Sequence, residues 1–567
     1  MRTTREDLAR EYRSRGWWSD RRITDLFDAA VRTVPAQPAL IDAPNRPQLL
    51  GEAPRRLSFA EVADLADRYA LRLLECGLAR DDVLVTQLPN VVEYAALYLA
   101  ALRLGVIVSP VPMQFRRHEL EQIVDLTGAR AILTVPELKG TAHALPAVEL
   151  ARGRPLQVWC LGTSAVPGAM SFTPAQATTS ALDSLRSHVA AIRVDADDVA
   201  TICWTSGTEG MPKGVPRSHN HWMAISYGHL RGAGIQRGER LLNPFPLINM
   251  AAIGGCFMSW LHSAGTLVLH HPLDLPVYLR QIAEERPQYA IAPPAVLNML
   301  LRDDRMLASV DLSSLRCIGS GSAPLDPEMI AGYRDRFGIE VVNIFGSNEG
   351  VSMVSNAANA ADPAQRARLF PRWGRDEIEW DPPAPVQIRT RLVDPDSADE
   401  ILERGRPGEM QITGPTVFDG YFKAPQITAQ SFTTDGWFRT GDLFELDGTG
   451  DPAPFYRFVG RLKQIIVRGG MKIAPEELDS VLSQMPDVLE GAVAAYRDEI
   501  MGERICAIVV PRPGAQPTLE AVRAHFTRAG LATFKHPERL MQVDQLPRNS
   551  VGKVMRGDLA RLASATS

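Results

Sequence analysis

The sequence has few cysteines, and they lie far apart. The six include no C-x-x-C pair and no histidine at metal-ligand spacing, which argues against a zinc site or a disulfide framework. Charge of one sign is also lacking, since 61 basic and 66 acidic residues leave a net charge of -5. No basic face for nucleic acid is therefore expected.

Long hydrophobic runs are absent as well. The N-terminus has no apolar secretory core, and the longest apolar run, residues 91–113, is broken by Glu93, Arg103 and two prolines. We therefore expect a cytoplasmic protein without a membrane span. With 45% hydrophobic and 22% charged residues, the 567-residue chain has a globular composition, which excludes disordered and fibrous classes.

Helical and extended patterns alternate along most of the chain. In residues 58–77 apolar positions recur every three or four residues and stop at a glycine, which predicts an amphipathic helix, and a buried helix is predicted over residues 92–104. The predicted strands are residues 82–88, 106–108, 131–135, 267–270, 289–292, 315–318 and 341–344. This order predicts an α/β fold with parallel sheets.

The pattern changes twice towards the C-terminus. After residue 357, proline, aspartate and arginine precede alternating segments, residues 386–392 and 409–412, which predict a small antiparallel sheet or barrel. After Gly460 come a hairpin, a helix and two strands, predicted at residues 464–470, 474–477, 492–496 and 505–510. We therefore predict an N-terminal domain, residues 1–462, and a C-terminal α+β domain, residues 463–567, with the boundary near Lys463.

The strongest local signal lies in residues 201–214, where an apolar strand runs into a loop with three glycines, three hydroxyls and a lysine. The loop residues that could surround a phosphate chain are Thr205, Ser206, Gly207, Thr208 and Lys213. Pro212 before the lysine and Gly214 after it exclude a Walker A loop. A surface turn rich in small residues is the alternative.

This loop resembles the core signature of the AMP-forming adenylating superfamily: acyl- and aryl-CoA synthetases, aryl-acid adenylating enzymes, nonribosomal peptide adenylation domains and luciferases. Four further segments resemble the other signatures in family order, namely residues 343–349, 436–443, 460–470 and 546–553. The resemblance extends from about residue 25 to residue 559. It implies a large N-terminal domain of two α/β subdomains and a small β-barrel, followed by a small mobile α+β domain.

The resemblance also implies roles for residues at the reacting groups. Lys553 matches the catalytic lysine, whose ammonium would bridge the carboxylate and the α-phosphate. Glu349 matches the metal-ligating carboxylate, with Thr205 as a second metal ligand. Asn348 stands where the family usually has threonine beside the α-phosphate, which removes a hydroxyl but leaves an amide donor. An ordinary solvated glutamate or lysine is the alternative for Glu349 and Lys553.

Other matching residues are implied in nucleotide binding. Phe345 and Gly346 would contact adenine, Asp442 would accept both ribose hydroxyls, and Arg461 would hold the ribose or a phosphate. Lys213 would close on the β- and γ-phosphates. The strip lining adenine and the acyl group is Gly319, Gly321, Ser322 and Ala323. A turn-forming aspartate, a surface arginine and a plain strand-to-helix turn are the alternatives.

Lys463 matches the family's hinge, and the hairpin at Gly469 and Gly470 would meet the thiol after domain rotation. The acyl pocket would include Asn249 and Gly254, and no aspartate there suits an amino-acid ammonium. Residues 11–18 resemble the N-terminal arm of medium-chain and cyclohexanecarboxylate-type CoA ligases and of aryl-acid adenylating enzymes. Buried tryptophans on a docking helix would explain this arm equally well.

Residues 464–470 and 534–538 resemble CoA ligases more than carrier-dependent enzymes. We therefore expect ATP-dependent, Mg2+-dependent transfer of a medium-chain, alicyclic or aromatic acid to coenzyme A. The chain ends at Ser567, so an attached carrier domain is not expected. An aryl-acid adenylating enzyme loading a separate carrier protein, and an inactive nucleotide-binding scaffold, stay open as alternatives, as does a homodimer.

Overall fold

The structure is a computed structural model that describes residues 1–163, 165–205, 212–308, 310–381, 387–468, 471–498, 501–529, 531, 533–549 and 553–565. Its strands are β1 (Pro38–Ile41), β2 (Arg56–Ser58), β3 (Val83–Thr86), β4 (Ile107–Pro110), β5 (Ala131–Thr134), β6 (Glu137–Leu138), β7 (Thr141–Ala142), β8 (Gln157–Leu161), β9 (Met170–Phe172), β10 (Val199–Thr205), β11 (Lys213–Ser218), β12 (Arg240–Asn243), β13 (Thr266–Leu269), β14 (Tyr289–Ile291), β15 (Cys317–Gly321), β16 (Glu340–Gly346), β17 (Ser352–Ser355), β18 (Leu369–Pro371), β19 (Arg389–Val393), β20 (Gly408–Thr413), β21 (Phe438–Asp447), β22 (Phe455–Arg461), β23 (Ile466–Arg468), β24 (Met471–Ile473), β25 (Val488–Asp498), β26 (Gly502–Pro511) and β27 (Arg539–Gln542).

The helices are α1 (Glu6–Ser14), α2 (Ile23–Thr33), α3 (Arg46–Leu50), α4 (Phe59–Glu75), α5 (Val92–Leu104), α6 (Arg117–Thr127), α7 (Ala144–Ala151), α8 (Thr179–Ile192), α9 (His219–Gly232), α10 (Met250–Ala252), α11 (Met258–Ser263), α12 (Leu275–Glu285), α13 (Pro294–Arg302), α14 (Asp304–Ala308), α15 (Pro327–Phe337), α16 (Pro363–Arg368), α17 (Pro425–Ser431), α18 (Pro475–Ser483), α19 (Leu519–Arg528) and α20 (Arg556–Ala565). A π-helical turn, Ile253–Phe257, joins α10 to α11. Within the described part of the chain, no helix is long and apolar enough to cross a membrane.

The chain divides into two compact units. Unit 1 consists of Met1–Ala367, Glu379–Arg389 and Thr413–Gly436, and unit 2 of Arg368–Ile378, Thr390–Ile412 and Trp437–Ser567. The sequence-based boundary near Lys463 concerns a hinge and stays a prediction.

Unit 1 is built on two mainly parallel sheets. Their strand orders are β17-β16-β15-β14-β12-β13-β1-β2 and β11-β10-β4-β3-β5-β8-β9. The largest hydrophobic core contains side chains of both sheets and of α4, α5 and α9. The predicted α/β class is therefore confirmed. The predicted helix at residues 58–77 is α4, which begins after Ser58 because Ser58 and Glu61 form a capping box, and the helix predicted at residues 92–104 is α5.

Unit 2 contains two further sheets. One has the order β18-β22-β21-β20-β19, and its β18–β22, β22–β21 and β21–β20 pairs are antiparallel, as expected for a small all-β part. The other has the order β24-β23-β26-β25, with β27 parallel to β26. A core of α18, α19 and this second sheet forms the α+β part predicted near the C-terminus.

Candidate functional site

The phosphate-loop candidate connects two antiparallel strands of unit 1. Thr205 ends β10 and lies opposite Lys213, the first residue of β11. Strand β10 is parallel to β4, so the loop leaves the sheet at its carboxyl edge, where ligands of open α/β sheets bind. The loop residues Ser206, Gly207 and Thr208 lie outside the described residues.

Lys213 and Glu349 are linked through a tyrosine that the sequence patterns did not single out. The Nζ of Lys213 lies 5.0 Å from the centroid of the Tyr421 ring. The hydroxyl of Tyr421 donates a hydrogen bond of 3.2 Å to Oε1 of Glu349. Burial raises the pKa of Tyr421 well above its usual value, with the Glu349 carboxylate adding to the effect. Tyr421 is therefore a neutral donor that orients the expected metal-binding carboxylate.

Asn348 connects the end of β10 with the start of α10. Its Oδ1 accepts a 2.9 Å hydrogen bond from the backbone N–H of Met250, and its Nδ2 donates to the carbonyl of Trp204 at 3.3 Å. The side chain is thus held between the predicted phosphate loop and the predicted acyl pocket. A contact with the α-phosphate stays a prediction, for which the second amide hydrogen is suited.

A fully buried arginine fixes the segment that carries Asn348. The Arg217 guanidinium donates to the carbonyls of Asn348, Thr416 and His221 at 2.6, 2.7 and 3.3 Å. Burial lowers its pKa to about 10. No sequence pattern marks this residue, because its three acceptors are backbone atoms that only the folded chain brings together.

The predicted glycine strip is tightly packed. A Cβ at Gly321 would come within 2.0 Å of the Ile344 carbonyl, and one at Gly319 within 2.2 Å of the Tyr289 hydroxyl. Real Cβ contacts are never this short, so only glycine fits at either position. Close packing between β14, β15 and β16 accounts for both glycines whether or not a ligand lies against them.

The neighbouring strand ends carry the residues expected around adenine. Ser322 and Ala323 follow β15 and are exposed, and Ser322 has a left-handed φ of 69°. Phe345 and Gly346 end the adjacent parallel strand β16, Phe345 half-buried and Gly346 exposed. The four residues therefore lie at one edge of the sheet. Adenine contact stays a prediction.

The predicted acyl-pocket residues flank α10. The Asn249 side chain accepts a hydrogen bond from the backbone N–H of Ala252 and caps this short helix. Gly254 lies in the π-helical turn, where a Cβ would come within 2.7 Å of the Met250 sulfur. π-Helical turns are frequent at functional sites. Asn249 thus already has a local role beside the acyl contact expected for it.

In unit 2, Asp442 and Arg461 face each other across β21 and β22. The Arg461 Nε lies 3.0 Å from Oδ1 of Asp442, whose side chain is only 5% exposed, against 45% for Arg461. The Thr440 hydroxyl accepts from the Asp442 backbone N–H and donates to the Met410 carbonyl. Asp442 is therefore a positioned carboxylate with a charge partner.

Lys553 belongs to the same charged group. Its segment is closed by Asn549, whose N–H donates to the Lys553 carbonyl and whose Oδ1 accepts from the Lys553 N–H, both at 2.8 Å. The residue is exposed as a whole, yet desolvation lowers the pKa of its ammonium, with Arg461 as the next cause, while Asp442 and Glu476 raise it. Three predicted residues from distant segments thus interact within unit 2.

The remaining predicted positions are only partly described. Lys463 lies in the 3-10 turn Leu462–Gln464, directly after β22. Gly469 and Gly470 lie outside the described residues. For a metal ion, the described residues contain no group of three or more His, Cys, Asp or Glu side chains. Magnesium shared with ATP phosphates needs only one or two protein oxygens, and the carboxylate of Glu349 with the hydroxyl of Thr205 fits that requirement.

Comparisons with known proteins match the whole chain. The sequence model for "AMP-binding enzyme" matches residues 27–422, and that for "AMP-binding enzyme C-terminal domain" matches residues 477–553. A 2-hydroxy-7-methoxy-5-methyl-1-naphthoate–CoA ligase from Streptomyces carzinostaticus is 30% identical, with 99% of this chain and 97% of the relative covered. A medium-chain fatty-acid–CoA ligase from Escherichia coli K12 is 28% identical, with 98% and 92% covered.

A solved structure has the same fold. The crystal structure of ATP-bound MatB from Rhodopseudomonas palustris aligns with a TM-score of 0.77 at 24% identity, covering 96% of this chain and 99% of MatB.

Proposed function

This chain belongs to the AMP-binding enzyme family, and on that premise we propose that it converts a carboxylic acid into its coenzyme A thioester. The resemblance carried by the five sequence motifs is confirmed. In the first step, a carboxylate oxygen attacks the α-phosphorus of ATP, pyrophosphate leaves and an acyl-adenylate forms. In the second, a thiolate attacks the acyl carbon and AMP leaves.

The interaction of Lys553 with Arg461 and Asp442 carries the proposal. Adenylation brings a carboxylate against a polyphosphate, so it needs positive charge near the α-phosphate more than a protein nucleophile. The ammonium of Lys553 supplies this charge between the two reactants. Asp442 accepts the ribose hydroxyls, and Arg461 holds the ribose or phosphate while its Nε stays on the Asp442 carboxylate.

The polyphosphate side of the reaction falls to residues of unit 1. Lys213 neutralises the β- and γ-phosphates beside the Tyr421 ring. Glu349 and Thr205 would hold Mg2+, which supplies charge neutralisation on the phosphates when bound. The Tyr421 hydroxyl keeps the Glu349 carboxylate in one orientation. The Asn348 amide keeps α10, beside the predicted acyl pocket, next to the end of β10.

The second step requires another arrangement of the site. Lys463 is the proposed hinge between residues 1–462 and residues 463–567. Rotation there withdraws Lys553 and brings the hairpin with Gly469 and Gly470 to the thiol.

A medium-chain, alicyclic or aromatic acid is the proposed substrate class. Both curated relatives described above are CoA ligases, one for an aromatic acid and one for medium-chain fatty acids. The N-terminal arm says less about the substrate class. Its Trp18 is buried, packs edge-on against His221 and donates to the Pro415 carbonyl at 3.2 Å. Those contacts explain the arm by docking alone.

Acid-dependent exchange of labelled pyrophosphate into ATP tests the first step. We would run it with Mg2+ over a panel of straight-chain, alicyclic and aromatic acids, and then add coenzyme A and look for thioester. Exchange followed by thioester formation supports the CoA ligase. Exchange without a CoA thioester, but with acylation of a phosphopantetheine carrier protein, favours the aryl-acid adenylating alternative. No exchange with any acid favours the inactive scaffold.

A further inference from the structure

Two buried side chains of unit 1 have polar atoms that no described residue satisfies. His229 on α9 is 3% exposed, and neither of its ring nitrogens has a hydrogen-bond partner among the described residues. Tyr289 at the start of β14 is 0% exposed, and its hydroxyl is likewise unsatisfied there. Buried polar groups are costly in this state, and nearly all of them have partners in native proteins.

Both polar groups lie close to glycines at or beside the predicted acyl pocket. The Nε2 of His229 lies 2.9 Å from the position of a Cβ on Gly255, which neighbours the predicted pocket residue Gly254 in the π-helical turn. The Tyr289 hydroxyl lies 2.2 Å from the position of a Cβ on Gly319, a member of the predicted acyl strip. Because glycine has no side chain, the polar atoms of His229 and Tyr289 can lie close to the backbone at Gly255 and Gly319. A larger side chain at either glycine would cover the polar atom beside it.

The two places border one apolar core. Cys256 follows Gly255 in the π-helical turn. Tyr289, Cys256, Ile253 and Met250 belong to one hydrophobic core. The surroundings of the two polar groups are therefore apolar.

Both groups are uncharged at neutral pH. Burial alone lowers the pKa of His229 to about 4, and burial raises the pKa of Tyr289 well above its usual value. At neutral pH the imidazole offers one donor and one acceptor, and the phenol one donor and an acceptor oxygen. Such neutral groups suit a hydroxyl on the acid, which can both donate and accept a hydrogen bond.

From this arrangement, and resting on the proposed acid activation, we infer that His229 and Tyr289 are specificity-determining residues that hydrogen-bond a hydroxyl group on the apolar body of the acid. The substrate class is thereby narrowed to hydroxylated medium-sized acids. A site built to satisfy buried polar groups rejects the analogue that lacks the matching group, because the protein atoms then stay unpaired.

The test compares acids that differ by one hydroxyl. Pyrophosphate exchange is measured with ortho-, meta- and para-hydroxybenzoate against benzoate, and with hydroxylated octanoates against octanoate. The variants are Tyr289→Phe and His229→Phe. The matched control is Tyr278→Phe, which removes a buried hydroxyl that already donates to the Ile291 carbonyl and lies in a different core.

We expect the wild-type enzyme to favour one hydroxylated acid by at least about tenfold in kcat/KM. Tyr289→Phe and His229→Phe should abolish that preference by lowering kcat/KM for the hydroxylated acid, and should leave the KM for ATP unchanged. Tyr278→Phe should keep the preference. Because the Tyr289 hydroxyl has no partner to lose among the described residues, Tyr289→Phe should also keep or raise the Tm, whereas Tyr278→Phe should lower it.

Equal use of both acids in every pair, or equal losses on both in Tyr289→Phe, would overturn the inference while leaving acid activation intact. A lower Tm in Tyr289→Phe together with equal use of both acids would assign the hydroxyl to an internal water. No exchange with any acid, in a wild-type protein that still binds ATP, would overturn the proposed function and this inference with it.

Discussion

The candidate residues of the two units are held in place in different ways. In unit 1, Asn348 is held by the hydrogen bonds of its own amide and by the buried Arg217, whose acceptors are backbone carbonyls. The phenol of Tyr421 donates to Glu349 and lies beside Lys213. In unit 2, Asp442, Arg461 and Lys553 are positioned by one another's charges, and both Arg461 and Lys553 are exposed.

This difference suits the two kinds of task. A fixed scaffold is needed where the polyphosphate and the acid are proposed to be held throughout, and buried hydrogen bonds resist displacement. Exposed ionic contacts are weak and easily exchanged, as a group that must approach and leave requires. The comparison predicts that changes in unit 1 mainly lower the free energy of unfolding. Changes in unit 2 should mainly lower the rate of one reaction step.

Acidification should have the largest effect, and it should fall on unit 1. Burial lowers the pKa of seven unit 1 histidines to about 3 or about 4, namely His143, His219, His221, His229, His262, His270 and His271. Below pH ~6.5 these histidines become protonated in the unfolded chain but stay neutral in the folded chain. Stability present above that pH is therefore lost towards pH ~4, at about 1.4 kcal/mol per pH unit for each imidazole.

Amide hydrogen exchange at decreasing pH would locate the loss. Peptides of unit 1 should lose protection before those of unit 2, whose histidines, His525 and His536, are half-buried. His271→Gln should make the decline shallower, and the exposed His188→Gln should not. Simultaneous loss in both units would contradict the comparison.

Lys553→Ala should have the next largest effect, confined to adenylation. Removing the ammonium from the α-phosphate should lower acid-dependent pyrophosphate exchange about a thousandfold, while thioester formation from a supplied acyl-adenylate continues. Lys535→Ala is the control, because that lysine is paired with Glu477 at 2.7 Å in the same unit. Equal loss of both half-reactions would contradict the role of Lys553.

Arg217→Met should mainly lower stability. It leaves the carbonyls of Asn348, Thr416 and His221 buried without their donor, at a cost of about 3 kcal/mol in the free energy of unfolding. Urea denaturation followed by tryptophan fluorescence measures it. The control Arg280→Met breaks an exposed pair with Glu284 and should change stability by about 0.5 kcal/mol or less. Similar losses of stability in the two variants would show that Arg217 does not hold the Asn348 segment in place.

Tyr421→Phe should have the smallest effect. It removes the hydrogen bond to Glu349 but keeps the aromatic ring beside Lys213. We expect about a tenfold rise in the KM for magnesium–ATP with little change in kcat, because a charge-assisted hydrogen bond is lost. Steady-state kinetics at varied Mg2+ measures this. Tyr227→Phe is the control, because the Tyr227 ring lies beside His262 and Arg231 in the same unit. An unchanged KM would show that Glu349 is oriented by other groups.

The sequence was sufficient for elements whose pattern is local. Helix α5 was predicted at its observed bounds from a mainly apolar segment, and Gly105 caps it with a φ of 68°. The extent of α4 followed from apolar positions that recur every three or four residues and stop at a glycine. Short motifs likewise marked Asp442 and Arg461, and register then set them opposite each other.

Contacts between distant segments could not be predicted in this way. Tyr421 lies 72 positions from Glu349, and Arg217 lies 131 from Asn348; no periodicity connects such residues. His229 and Tyr289 look like ordinary members of a buried helix and strand. Only the folded chain reveals that no described residue satisfies their polar atoms, which lie close to glycines at or beside the predicted acyl pocket.

Tracing one oxygen atom tests the central claim most directly. With a heavy-oxygen-labelled carboxylic acid, ATP, Mg2+ and coenzyme A, the attack on the α-phosphorus transfers one labelled oxygen to AMP when the thioester forms. We predict AMP carrying a single labelled oxygen and unlabelled pyrophosphate. Unlabelled AMP, or ADP with labelled phosphate, would contradict activation of the acid through an acyl-adenylate.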